Sequence, residues 1–229
     1  MQLRQDLQTC YFSPMIGIAP TNSTTVPHRY FGALLAVIVV VTLAWSAFHP
    51  FDWLTWWMEV SWVLVGLPIV VWLARRQGIT RILLVLLTMH AVILVVGGHY
   101  TYEKVPVGLW VQEWFGLARN DYDRLGHFVQ GFVPALIARE LLRRTSPLQP
   151  GRWIAFLCIA SALAFSAIFE MIEWGSSIAL GASADAFLGS QGDPWDAQWD
   201  MLCALIGAIC SMATLSTLHE RELTRMRFG

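Results

Sequence analysis

Apolar residues dominate six stretches of near-membrane length along this chain, at residues 30–48, 53–73, 80–97, 125–142, 153–174 and 199–218, with polar connections between them. A helix rising about 1.5 Å per residue needs roughly 20 mostly apolar residues to cross a bilayer core. The pattern therefore predicts an all-α, polytopic membrane helix bundle of six transmembrane helices. The fourth stretch is the weakest, because its apolar run is short and carries His127, Gln130 and Pro134.

Charge supports keeping it. Lys and Arg concentrate on the cytoplasmic side of short loops. Arg29 precedes the first stretch; Arg75, Arg76 and Arg81 fill the second connection; Arg139, Arg143, Arg144 and Arg152 the fourth; Arg221, Arg225 and Arg227 the tail. The first and fifth connections have no basic residue, and the long third one has Lys104, Arg119 and Arg124 among several acids. Every second connection is basic, so both termini are expected on the cytoplasmic side. Without the fourth span the alternation fails. The expected organisation is a flexible cytoplasmic tail over residues 1–28, a membrane domain over 29–220 and a basic cytoplasmic tail over 221–229.

Two outer connections are long. Residues 107–117 put Trp110, Trp114 and Leu117 at helical spacing, as in a helix lying on the membrane surface. Residues 181–199, with Gly189, Gly192 and Pro194, read as an irregular loop dipping toward the bundle. Trp45, Trp53, Trp153, Trp174 and Trp199 fall at span ends, the usual aromatic belt.

Composition agrees with lipid as the surrounding medium: 56% of the 229 residues are hydrophobic and 14% charged, against about 25% charged in a soluble domain. With a net charge of −1 and no glycine-rich phosphate loop, no nucleic-acid partner is expected. Cys10, Cys158, Cys203 and Cys210 have no Cys-x-x-Cys spacing, which argues against a disulfide or thiolate site.

Ionisable residues inside spans are costly and usually face a bundle interior or a wet cavity. Here they sit at one end. Asp123, His127 and Gln130 share a face of the fourth span, Glu170 and Glu173 one of the fifth, and Asp196 and Asp200 one of the sixth, by three- and four-residue spacing. Five such carboxylates, with Arg124 and His127 as the evident counter-charges, invite a bound cation. Glu59 and His90 read as lone polar residues, and His99 as an outer member of the cluster. Ala160, Ala164 and Ala167 on the fifth span and Ala204, Gly207, Ala208 and Ser211 on the sixth predict a close contact between those two helices.

Several strings resemble the YjdF family of bacterial inner-membrane proteins: Gly97-Gly98-His99-Tyr100-Thr101-Tyr102, Asn120-Asp121-Tyr122-Asp123-Arg124-Leu125-Gly126-His127-Phe128, Phe169-Glu170-Met171-Ile172-Glu173-Trp174, and the run from Gly189 through Asp193-Pro194-Trp195-Asp196 to Asp200-Met201. The resemblance extends over residues 53–222 and implies a bacterial inner (plasma) membrane location, multi-pass, without implying a reaction. A more distant likeness is to VanZ-like membrane proteins, through Asp123-Arg124-Leu125-Gly126-His127-Phe128, Glu170-Met171-Ile172-Glu173 and Asp200 to Ala208. Glu173 stands where those proteins usually have Gln, and Ala204 where they have Asn.

Two functions stay open. One is a metal-dependent enzyme at the outer leaflet, with His127, Glu170, Asp196 and Asp200 as metal ligands to Zn²⁺, Mn²⁺ or Mg²⁺, Asp123 orienting His127, and catalytic candidates Asp123, His127, Glu170 and Asp200. Arg124, Glu173, Asp193 and Asp196 would then meet the substrate, an envelope lipid or lipid-linked molecule. The other is a non-enzymatic binder of a lipid or antibiotic head group, or a structural polar core. A small proton-coupled transporter ranks below both, because the cytoplasmic half shows no comparable relay. Membrane lipids are the expected partners; the pattern is silent on oligomeric state.

Overall fold

The computed structural model describes residues 28–181 and 190–228. Residues 1–27, which make up nearly all of the expected N-terminal tail, residues 182–189 of the expected outer loop (Gly189 included) and Gly229 lie outside the described residues.

Seven helices and no strand are found among the described residues: α1 (His28–Ser46), α2 (Trp53–Arg76), α3 (Arg81–Tyr100), α4 (Pro106–Phe115), α5 (Tyr122–Thr145), α6 (Arg152–Leu180) and α7 (Asp196–Phe228). Their ends follow local chemistry. Asp52 caps α2 by accepting from the Thr55 amide at 2.7 Å, and Thr80 caps α3 through the Leu83 amide. Arg75 and Arg76 close α2, where the helix dipole favours cations. The short α4 starts at Pro106 and stops at Gly116, whose φ of 62° suits glycine. It exposes Trp110, Trp114 and Phe115.

The six longer helices alternate in direction. α1 runs with α3, since Gly32 lies by Leu84 and the Ser46 carbonyl meets His99 Nδ1 at 2.9 Å. α5 runs against α3, since Tyr122 Oη donates to the Ile93 carbonyl at one end and Thr80 Oγ1 to Glu140 at the other. α5 and α7 are parallel, with Gly131 against Ala204 and Arg139 on His219. A core of Leu83, Leu84, Val133, Leu136, Cys158 and Ala208 joins α3, α5, α6 and α7; Val39, Val60, Val63 and Val95 join α1, α2 and α3.

Four helices, α2, α3, α6 and α7, are long and apolar enough to cross a membrane. The first expected span is apolar but shorter, over Tyr30–Ser46. The fourth expected span forms α5, a 24-residue helix, long enough but too polar to qualify. Its polarity has a packing cause: Asp123, His127, Gln130, Arg139 and Glu140 are buried against α3, α6 and α7, and the exposed positions in its length include Leu125, Ile137 and Leu141. A helix at the centre of a bundle offers lipid only a narrow apolar strip, so its average hydropathy understates its setting.

The fifth and sixth spans, α6 and α7, do pack together as the small-residue spacing suggested, with Cys158 and Ala162 in one core with Ala208 and Met212, but the closest backbone approach is α5 with α7. A Cβ on Gly131 would stand 1.8 Å from the Ala204 carbonyl oxygen, and one on Gly207 2.0 Å from that of Phe128. Ala160 and Ala164 face outward instead; α6 packs through Ile154, Cys158, Ala162 and Ser166. Small residues permit close approach but do not say which neighbour uses it.

Candidate functional site

The expected acid and histidine cluster forms at one end of the bundle. Local sequence builds its wall. Gly97 has no side chain because the Tyr102 ring fills that space, 2.5 Å from where a Cβ would be, and Gly98 leaves room for Glu59. Thr101 and Tyr102 take positive φ values of 58° and 50°, which turn the chain back so that Tyr102 is buried against α3. Its hydroxyl donates to Glu59 Oε2 at 2.8 Å. Glu59 is therefore not a lone polar residue: it is 2% exposed and shares a small cavity with Tyr102, Asp123, His127 and Gln130. The Gly-Gly and closing tyrosine of the motif were the signal for this pair, since two glycines before a left-handed turn imply a returning side chain.

One donor atom each from Asp123, His127 and Asp200 lies within 4.8 Å of the others. His127 Nε2 is 3.7 Å from Asp123 Oδ1, and Nδ1 is 3.5 Å from Glu170 Oε1. Gln130, three residues on, lines the same small cavity as the ring. Asp200 is 2%, His127 3%, Asp123 7% and Glu170 9% exposed. Glu173 is also buried, next to Glu170. Asp123 thus stands among the grouped donors, while Glu170 lies on the other side of the imidazole.

Asp196 is engaged elsewhere. It takes an ion pair from Arg119, whose Nη1 also donates to the Ser190 carbonyl at 3.1 Å. Burial alone would lower the Arg119 pKa, but the hydrogen bond and charge of Asp196 more than offset this and hold it above its ordinary value. Arg124 is paired as well, to Asp121 at 3.1 Å and Asp193 at 3.0 Å. These five charged residues form a rim over the cluster. The Gln191 side chain locks onto both backbone groups of Asn120, at 3.1 and 2.9 Å, tying the described part of the outer loop to the start of α5. Arg119 was not singled out from the sequence, since a basic residue in a loop carries no mark of burial.

His99 stands apart from the cluster, bonded to the Ser46 carbonyl and 4.4 Å from the Trp45 ring. The expectation of an outer role for it gives way to a role in fastening α1 to α3.

The opposite end of the bundle also carries a buried polar network, where the sequence showed no relay comparable to the acid and histidine cluster. Arg139 donates to His219 Nδ1 at 2.9 Å; the other ring nitrogen meets Glu140 at 3.0 Å; Glu140 also takes Thr80 and Arg144. An arginine can only donate, so Nδ1 accepts and Nε2 donates. Every member is paired. At the first end, by contrast, His127 Nδ1, Glu170 Oε1 and Asp200 Oδ1 are buried without a hydrogen-bond partner. Buried polar atoms are nearly always satisfied, so three orphans in one cluster mark a place for a ligand.

The cavity lined by His127, Asp123, Glu59, Tyr102 and Gln130 measures about 20 Å³. That is room for one water or a bare ion and excludes a head group, which can reach only the rim of Arg119 and Arg124. Five buried carboxylates, Glu59, Asp123, Glu170, Glu173 and Asp200, cannot all carry charge there without a counter-ion.

Comparison with known proteins agrees with this architecture. A family model described as "Predicted membrane protein (DUF2238)" matches residues 31–221. The inner membrane protein YjdF of Escherichia coli (strain K12) is 49% identical over 190 residues, which cover 83% of this chain and 91% of that protein. No solved structure gives a significant match. These matches give no support to the likeness to VanZ-like proteins.

Proposed function

This chain is an inner-membrane protein of the DUF2238 family, and from that premise we propose that its buried acid and histidine cluster binds one divalent cation, facing the outer leaflet, and acts on the head group of an envelope lipid or lipid-linked substrate. The observation that carries this reading is the set of buried, unpartnered atoms on His127, Glu170 and Asp200, with an ion-sized cavity lined by His127 and Asp123. A purely structural core would close its hydrogen bonds, as the opposite end does.

Asp123, His127 and Asp200 supply two oxygens and a nitrogen, a donor set for Mn²⁺, Zn²⁺ or Mg²⁺. Opposed ligands of an octahedral ion lie about 4.2 Å apart, twice a bond of about 2.1 Å, and tetrahedral Zn²⁺ needs a tighter group. The three donor atoms lie within 4.8 Å of one another, near that octahedral span, and would draw in slightly on an ion. The ion would supply Lewis acidity toward water or a phosphate oxygen. Glu170, 3.5 Å from His127 Nδ1, stands where it would accept from that nitrogen and hold the ring with Nε2 toward the ion, and Arg119 and Arg124 stand where an anionic head group would displace Asp121 and Asp193. A head-group binder without chemistry is the second reading, favoured by the smallness of the cavity.

Metal analysis of the full chain purified without chelators tests this. Wild type should retain about one equivalent of metal, and His127→Ala and Asp200→Asn should lose it. Glu170→Gln should weaken binding by about 10–100-fold, as changes to a ligand's own partner do. A metal-free wild type that Mn²⁺, Zn²⁺ and Mg²⁺ fail to stabilise would sink the cation. Metal retention with lipid binding but no turnover selects the second reading.

The cation site faces outward only if all six long helices cross the membrane with both termini cytoplasmic. Their alternating directions and the arginines gathered at the far end support that topology. In a cysteine-free background, Glu113→Cys should react with an impermeant maleimide in intact cells and Gln149→Cys only after lysis. Reaction of Gln149→Cys from outside contradicts the topology.

A further inference from the structure

A second cavity opens at the end of the bundle away from the acid and histidine cluster. It measures about 460 Å³ and is lined by Arg139, Pro150, Thr217, Glu220, Arg221 and Arg225 among others. One of its cations is already used: Arg139 holds Glu220 at 2.8 Å, together with neighbouring Arg143 outside the cavity at 2.7 Å. Arg221 and Arg225 are different. Both are exposed on α7, four residues apart, and neither makes an ion pair among the described residues. Like charges at that spacing repel along a helix.

An anion between them removes the repulsion. The guanidinium fork matches phosphate oxygens in pairs, and Thr217 adds a hydroxyl to the same wall. The height of the cavity identifies the source of the phosphate. Pro150 lies three residues before Trp153, which is 66% exposed at the first turn of α6, and exposed tryptophans at helix ends mark the head-group layer. We propose that this cavity seats the phosphate of an anionic phospholipid between Arg221 and Arg225, a lipid site separate from the proposed cation site and independent of it.

The test uses the full chain, delipidated in detergent, with melting midpoint and retained lipid measured as phosphatidylglycerol, phosphatidylcholine or inorganic phosphate is added. Phosphatidylglycerol should raise the midpoint and stay bound, and phosphatidylcholine should do neither. Arg221→Gln with Arg225→Gln should weaken phosphatidylglycerol binding roughly thirtyfold, the combined worth of two cations near a lipid surface. The lipid-free midpoint should not move, because both side chains are exposed. Arg225→Gln alone gives the same comparison if the double variant melts early. Asp200→Asn, at the other end, should bind phosphatidylglycerol as wild type does, whatever becomes of the cation. Equal responses to the two lipids, or undiminished binding by the arginine variants, would overturn the proposal. A full midpoint shift from inorganic phosphate alone would overturn the lipid occupant in favour of a soluble anion.

Discussion

Gly131→Ala should destabilise the folded bundle by roughly 3 kcal/mol, the upper part of the ordinary range for overpacking a filled interior. The added methyl would fall 1.8 Å from the Ala204 carbonyl oxygen and 2.6 Å from its Cα, and backbone cannot swing aside as a flexible side chain does. α5 and α7 must then separate along the contact that also sets Asp123 near Asp200. Cavity contraction elsewhere offers no relief, because Val133, Ala135 and Leu136 on the same helix are fully buried. Gly66→Ala is the control, since nothing lies within 4 Å of its added Cβ, and alanine is the better helix former by up to about 1 kcal/mol. Unfolding followed by helical signal in detergent reads both. Equal stability of the two variants would mean that α5 and α7 do not meet at Gly131.

Arg139→Ala should cost about 3 kcal/mol or more, as removal of one partner from a buried charged network does. Arg139 is 2% exposed and His219 is fully buried, so the ring nitrogen that accepted from the guanidinium is left without a donor and without water. Glu220 keeps Arg143, which limits the loss on that side. The double variant Arg139→Leu with His219→Leu should recover part of the stability, because it removes both ends of the broken bond. Asp200→Asn provides the contrast. Removing charge from a crowded cluster with orphaned oxygens should leave the melting midpoint of metal-free protein unchanged or higher. If Asp200→Asn destabilises as much as Arg139→Ala, the two polar ends are the same kind of structure and the outer cluster is not a ligand site.

Helix α5 illustrates why local reading reaches only part of the way. Its hydropathy places it below the apolar helices around it, and only the alternation of arginines argued for its inclusion. Averaging over a window weighs lipid-facing and protein-facing positions alike. In α5 most positions face protein, so the average reports the bundle interior and not the membrane. Gly207 and the alanines of α7 gave a similar lesson. Their spacing was legible, but α6 and α5 were both within reach, and the backbone contacts chose α5.

Within the site, helical phase was enough to group Asp123 with His127, Glu170 with Glu173 and Asp196 with Asp200, because residues three and four apart share a face whatever surrounds the helix. Phase cannot say how faces of different helices turn toward one another. That is why Asp196 left the cluster for Arg119, why His99 went to α1, and why Glu59 entered from a helix that carried no other acid. Each of these depends on a contact between residues at least 40 positions apart.

The residues by themselves determined the all-helical character, the apolar helices, the family and the end of the bundle at which acids and histidine gather, since these follow from composition, periodicity and motif along the chain. Which polar atoms find partners was decided only by the tertiary structure. Hydrogen bonds are short and directional, so satisfaction at the Arg139, His219 and Glu140 end and its lack at His127, Glu170 and Asp200 depend on side-chain separations of a few ångströms, set by how six helices pack.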